Sequence, residues 1–144
     1  MKKTLLLVTS LFFGAALVGC QTSQTTEVDS AEVSMKTITG TVAYRERIAL
    51  PPNALVSVSL EDVSLADAPS KVIAKQTFNT EGKQVPIAFE LSYDSNEIQA
   101  KHRYSVRARI EVDGKLRFIS DTHHAVITDE AQTHQVDIRL VGVR

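Results

Sequence analysis

From Lys36 to the C-terminus, apolar residues recur at every second position, and that period leaves little but a β-sheet wrapped on one core. The clearest run is Arg103 to Val112. Tyr104, Val106, Ala108, Ile110 and Val112 fall on one face, with Ser105, Arg107, Arg109 and Glu111 on the other. Successive side chains of a strand point to opposite faces, so this run buries one face and wets the other. Thr37–Tyr44 repeats the pattern with Ile38, Gly40, Val42 and Tyr44 together. Ala54–Glu61 turns Val56, Val58 and Leu60 inward and Ser57, Ser59 and Glu61 outward. Lys71–Phe78 puts Val72, Ala74 and Phe78 on one face, opposite Lys75 and Thr77. Val85–Tyr93 aligns Ile87, Phe89, Leu91 and Tyr93, with Pro86 marking a strand entry or an edge. Leu116–Ser120, the short run Ala125-Val126-Ile127, and His134–Val143 with Val136, Ile138 and Leu140 inward complete the set.

Turn-forming stretches separate these runs. Pro51 and Pro52 have no N–H to give a ladder, so Ile48–Asn53 is a loop or an edge. Asp62–Ser70, Asn79–Lys83 and Asp129–Thr133 carry further turn signals. Asp94 followed by Glu97 resembles an N-cap with an acid three positions on, and predicts a single helical turn over about Ser95–Ala100. Frequent turns between about 7–8 short strands predict an all-β fold. The architecture is a small antiparallel β-sandwich or a partly open barrel, in one domain over residues 36–144.

Register is arguable at one place. Asp113-Gly114 marks a hairpin between Arg103–Val112 and Leu116–Ser120. A two-residue loop pairs Ile110 with Arg117 and puts charge on the core face. A three-residue loop pairs Glu111 with Lys115, Ile110 with Leu116 and Ala108 with Phe118. The core face therefore predicts the three-residue loop, a type I turn with Gly114 left-handed in a bulge.

The N-terminus is a different kind of sequence. Lys2 and Lys3 precede an apolar stretch from Leu5 to Val18, broken only by Thr9 and Ser10. That is the anatomy of an export signal, too short and wrongly flanked for a spanning helix. It ends in Leu17-Val18-Gly19-Cys20, which resembles the lipobox of bacterial lipoproteins. The resemblance implies cleavage after Gly19, making residues 1–19 the signal peptide, and a lipid on Cys20. Cys20 is the sole cysteine, so an anchor there leaves no thiol for a disulfide or a thiolate metal site. Each buried CH2 of an acyl chain contributes roughly 0.8 kcal/mol, and two or more chains make membrane residence stable. Gln21 stands where an aspartate commonly retains Gram-negative lipoproteins in the inner membrane. By the same resemblance, the chain is expected at the outer membrane, facing the periplasm. Residues 20–35 then form a polar lipidated tether with no aromatic residue. Its 15 residues after the anchor reach roughly 20 Å as a flexible coil.

Charge and composition exclude several functions. Residues 1–19 carry two lysines and no acid, so 14 of the 16 Lys and Arg remain against 17 Asp and Glu, a net charge of −3. That balance argues against nucleic acid and against a basic membrane-docking patch. Trp is absent and only three Tyr occur, too few for base stacking or a broad sugar platform.

Catalytic and metal motifs are weak. His123 and His124 are adjacent in a strand-like stretch and so point to opposite faces, which prevents a shared metal. Ser120-Asp121-Thr122-His123 holds the residue types of a hydrolase triad but neither a nucleophile elbow nor an oxyanion hole. No phosphate loop or dinucleotide fingerprint is present. No catalytic residue, metal ligand or cofactor is assigned, and the chain is read as non-enzymatic. The candidate contact residues are arginines, a type enriched in interface hot spots. Arg45 and Arg47 flank Glu46 beside the Pro51-Pro52 loop. Arg107 and Arg109, with Arg117 across the hairpin, predict a basic stripe on the outer sheet face that meets an acidic partner, lipid headgroups or only solvent. An unpaired edge strand offers strand addition as another mode.

A set of blocks in order carries a family resemblance. They are Gly40-Thr41-Val42, Ala49-Leu50-Pro51-Pro52-Asn53-Ala54, Val58 to Ser64, Ala68-Pro69, Val85-Pro86-Ile87, Phe89-Glu90-Leu91, Tyr104 to Ile110 and Asp113-Gly114. Together they resemble the YscW/YbaY lipoproteins, nearer the YbaY branch, across nearly all of the chain beyond the tether. The resemblance implies a compact β-sandwich-like domain with no catalytic residues. In the YscW branch it also implies a pilotin or chaperone-like role, helping a secretin subunit reach the outer membrane. A structural or glycan- or small-ligand-binding envelope role is the alternative reading.

Overall fold

The computed structural model describes residues 32–144. The signal peptide, Cys20 and most of the tether therefore lie outside the described residues. Eight strands form one sheet. They are β1 (Met35–Tyr44), β2 (Leu55–Asp62), β3 (Lys71–Asn79), β4 (Ile87–Asp94), β5 (Tyr104–Val112), β6 (Lys115–Ser120), β7 (Ala125–Val126) and β8 (Gln135–Gly142). The spatial order is β3-β2-β5-β6-β8-β1-β4, with β7 attached to the start of β5. The sheet curls into a nearly closed barrel, and β3 and β4 approach each other across its open seam. Of the two expected architectures, the barrel is the one found.

Alternation places the core as expected. Ile38, Val56, Val58, Leu60, Val106 and Ile110 are fully buried, and every strand except β3 sends buried apolar side chains inward. β3 contributes only half-buried ones, as befits a seam strand. Tyr44 and Phe118 stack across the interior with ring centroids 4.0 Å apart. One strand pair departs from the antiparallel expectation. β1 and β8 run parallel, with Gly40 opposite Val136 and Val42 opposite Ile138. They meet because closing the barrel brings the first strand beside the last. At Gly40 the two backbones are so close that a Cβ would lie 1.7 Å from the Val136 carbonyl oxygen. Only glycine fits there.

The hairpin register differs from the sequence expectation. Val112 pairs with Lys115, so the loop is the two residues Asp113 and Gly114. Both have positive φ, 53° and 74°, the signature of a type I′ turn. The conflict that argued against this loop is resolved one step further on. Glu111 pairs with Leu116 but Ile110 pairs with Phe118, so Arg117 is an extra residue in a bulge. The bulge returns Phe118 to the core and leaves Arg117 in solvent. Gly114 is left-handed as expected, but the bulge sits in β6 rather than in the loop.

A second bulge corrects the face of Val72. Leu60 pairs with Ala74 while Glu61 pairs with Val72, so Ile73 is the unmatched residue. Val72 is thereby turned outward, 51% exposed, and Ile73 packs against the core instead. Ser57 and Ser105 are buried although alternation points them outward. Ser57 shares a 3.0 Å hydrogen bond with the Thr77 hydroxyl. Ser105 is covered by the β7 segment, and its hydroxyl accepts from the His124 N–H at 3.2 Å. The helical turn is shorter than expected. It is a 3-10 turn over Ser95–Glu97, with the Asp94 carboxylate accepting from the Asn96 N–H. β4 begins only after Pro86, which has no N–H for a ladder.

Candidate partner-binding face

The outer face of β2 and β5 is where the alternation places its polar half. Arg107 is opposite Ser59 and Arg109 is opposite Ser57. Small serines beside long arginines leave a trough rather than a ridge. It is a shallow groove of about 280 Å3, bordered by Lys75 of β3 on one side and Ile119 of β6 on the other. Ile119 pairs with Arg109 and, across the next ladder, with Val141. Val72, Ile119 and Val141 are all substantially exposed, so apolar surface flanks the cations.

The cations are held rather than loose. Arg107 Nε lies 3.5 Å from Glu61 Oε2, and Arg109 Nη2 lies 2.6 Å from Glu111 Oε1. The Glu61 carboxylate also accepts hydrogen bonds from the hydroxyls of Ser59, at 2.8 Å, and Ser70, at 2.6 Å. Glu61 is largely buried beneath these partners, whereas the Arg107 side chain is 58% exposed. Both guanidiniums thus carry fixed directions and free donors, since each has five N–H groups and uses few of them here. Exposed ion pairs of this kind stabilise little, about 0–1 kcal/mol.

The other candidate arginines are elsewhere. Arg117 does not line the groove, because the β6 bulge puts Ile119 in the place expected for it. Its carbonyl instead accepts from the Val143 N–H at 2.9 Å, at the end of β8. Arg45 and Arg47 sit exposed on the bend after β1. Glu46 between them accepts from the Gly142 N–H at 3.1 Å. Arg45, Arg47 and Arg117 thus lie on segments that meet the carboxyl end of β8, apart from the groove. The neighbouring Pro51-Pro52 loop is anchored, not free. Gln84 brackets Leu50, accepting from its N–H at 2.8 Å and donating to its carbonyl at 3.0 Å. Lys75, Ile119 and Val141 were missed as site residues. Alternation already turned Lys75 outward, but the apolar pair became visible only with the β6 and β8 register.

The histidines do not assemble a metal centre. Among the described residues no three His, Cys, Asp or Glu side chains are grouped to hold a metal ion. His123 is exposed, while the ring of His124 is half-buried with a buried Nε2 that has no hydrogen-bond partner among the described residues. Burial, with the nearby His123, pushes the His124 pKa down. Ser120 is engaged by the Ala108 N–H rather than by a histidine.

Residues 33–140 match the family described as type III secretion system lipoprotein chaperone, YscW. The chain belongs to that family. It is 43% identical over 112 residues to the uncharacterised lipoprotein YbaY of Escherichia coli K12, a match covering 78% of this chain and 58% of that protein. The chain thus spans little more than half the length of this relative. A solved structure of an alternative pilotin from the type II secretion system of Vibrio cholerae shares 66% sequence identity. It covers 77% of this chain and 99% of that one, with a TM-score of 0.76. The groove-lining residues of β2, β3, β5 and β6 all fall inside the family match.

Proposed function

We propose that this chain is a non-enzymatic, outer-membrane-anchored lipoprotein that binds another envelope protein and escorts it in the manner of a pilotin. The observation that carries this reading is the 66% identity to a pilotin across nearly the whole of that protein. The partner class is a secretin-like outer-membrane protein. In this reading a lipid on Cys20 holds residues 36–144 at the periplasmic face on the 20–35 tether. The groove between Lys75 and Ile119 is the contact surface, with Arg107 and Arg109 meeting acidic side chains and Val72, Ile119 and Val141 meeting apolar ones. Such a mix, apolar contacts beside oriented arginines, suits a reversible interface. Arg45, Arg47 and Arg117 form a secondary contact at the end of β8.

The test is cross-linking and affinity capture of the lipidated protein from outer membranes, with partners identified by mass spectrometry. Enrichment of a secretin or another outer-membrane protein, lost in Cys20→Ser, supports the role. Recovery of nothing but lipid and background sinks it.

A further inference from the structure

The pole of the barrel where β1 begins and β4 ends holds a second cavity, of about 360 Å3, which shares no lining residue with the arginine groove. Its lining includes Lys36, Tyr93, Ile98, Ala100, Ile127 and Asp129. Three features of this cavity go beyond what packing alone requires.

The first is Tyr93. It is 2% exposed, yet its hydroxyl has no hydrogen-bond partner among the described residues. A buried hydroxyl without a partner is a cost to the fold, and native structures usually satisfy it. Tyr104 shows the ordinary outcome nearby, its hydroxyl accepting from the Gln99 N–H at 2.8 Å. The second is Ile127, at φ 66°. A β-branched residue in the left-handed region is strained, and such strain gathers at ligand clamps. The third is Lys36. It is directly opposite Tyr93 in the β1–β4 ladder, on the same face as Ile38, so it overhangs the mouth. It takes part in none of the ion pairs among the described residues.

We propose that this cavity binds a small zwitterion, a free apolar amino acid or a dipeptide of such residues. The carboxylate meets the Lys36 ammonium and the Tyr93 hydroxyl. The ligand ammonium lies toward Asp129, whose two oxygens are oriented by the Thr133 N–H at 2.8 Å and the Thr133 hydroxyl at 2.5 Å. The apolar side chain sits among Ile98, Ala100 and Ile127. In this proposal a shift of the strained Ile127, which lines the same cavity, opens the buried phenol to the ligand. The volume lies near the lower end of the range for small-molecule sites, about 300–1,000 Å3. This inference uses none of the groove residues and stands apart from the partner-binding proposal.

The test is calorimetric titration of the full lipidated protein in detergent micelles with L-leucine and L-leucyl-L-leucine. N-acetyl-leucine, which lacks the ammonium, and leucinamide, which lacks the carboxylate, run beside them. Saturable binding of leucine or the dipeptide is expected, at least 10-fold weaker for both blocked analogues. Tyr93→Phe and Lys36→Gln should each weaken binding 10-fold or more. Tyr93→Phe removes only an unpaired hydroxyl, so it should melt at or above the wild-type temperature, which separates lost binding from lost folding. No saturable heat at millimolar ligand, equal binding of the blocked analogues, or undiminished binding by Tyr93→Phe would each overturn the proposal.

Discussion

The two faces of the β2–β5 pair are built from the same hydrogen-bonded register and do opposite things. On the inner face Val56 opposes Ile110, Val58 opposes Ala108 and Leu60 opposes Val106, all sealed from solvent. On the outer face, one residue along, Ser57 opposes Arg109 and Ser59 opposes Arg107 in an open groove. The inner face draws its energy from apolar area removed from water, which is large and at these positions carries no titrating group. The outer face has ion pairs that contribute little to folding and oriented donors that are free to meet a partner. In the proposed reading, stability and recognition are separated by a single residue step along each strand, and substitutions on the two faces should fail differently.

The largest effect is expected on the inner side. Leu60→Ala should lose about 2–5 kcal/mol of stability through lost burial and a residual cavity. Urea unfolding followed by far-ultraviolet circular dichroism measures it. Gly40→Ala attacks the same core from the β1–β8 contact, where the new methyl meets a backbone carbonyl that cannot swing aside. A loss of about 2 kcal/mol or more, or failure to fold, is expected. If either variant unfolded at the wild-type denaturant concentration, the inner face would not be the stabilising one.

On the outer side, the double change Arg107→Gln and Arg109→Gln, which removes the charges without setting new carboxylates against Glu61 and Glu111, should cut partner capture at least 10-fold while changing the unfolding free energy by only about 1 kcal/mol. Capture lost in step with stability would collapse the distinction between the faces.

A further prediction concerns the edge between them. Asp62, at the end of β2, is raised by desolvation but more strongly lowered by hydrogen bonds from Ser64 and His102, leaving its pKa at about 2. A carboxyl depressed on folding contributes stability above its unfolded pKa of about 3.9, and that contribution is lost as pH falls toward 2. Unfolding midpoints between pH 5 and pH 2.5 should therefore fall more steeply for the wild type than for Asp62→Asn. Parallel curves would remove Asp62 from the acid response. The smallest effect belongs to the hairpin. Gly114→Ala at φ 74° should cost about 1 kcal/mol, read as a small drop in melting temperature, without changing capture.

Much of the inner face was legible in the residues. Alternation over Arg103–Val112 and Ala54–Glu61 named the buried apolar side chains of β5 and β2, because a half-buried strand must carry period two. It missed the covered Ser57 and Ser105, and Val112 is only half-buried. The same argument placed Arg107 and Arg109 outside. It failed where an extra residue breaks the period. Val72 is expected in the core and a bulge turns it outward; Arg117 is expected opposite Arg109 and stays in solvent, but the β6 bulge puts Ile119 in that place. The hairpin reasoning failed for a related cause. It assumed that a loop must satisfy the core register at once, whereas β6 corrects the register three residues later. The pole cavity had no sequence signal. Lys36, Tyr93 and Ile127 are distant in the chain and share only a place on the barrel.

The sequence by itself determined the all-β class, the spacing of the strands and the faces of the regular ones, since these follow from local periodicity and from turn residues. It also carried the family blocks that the comparisons bore out. Only the tertiary structure decided that the sheet closes with β1 parallel to β8, that two bulges reassign Val72 and Arg117, and that Ile119 joins the arginine groove. The physical reason is that hydrogen-bond register between strands far apart in sequence is set by closure of the whole sheet on one core, and no stretch of residues contains that constraint alone.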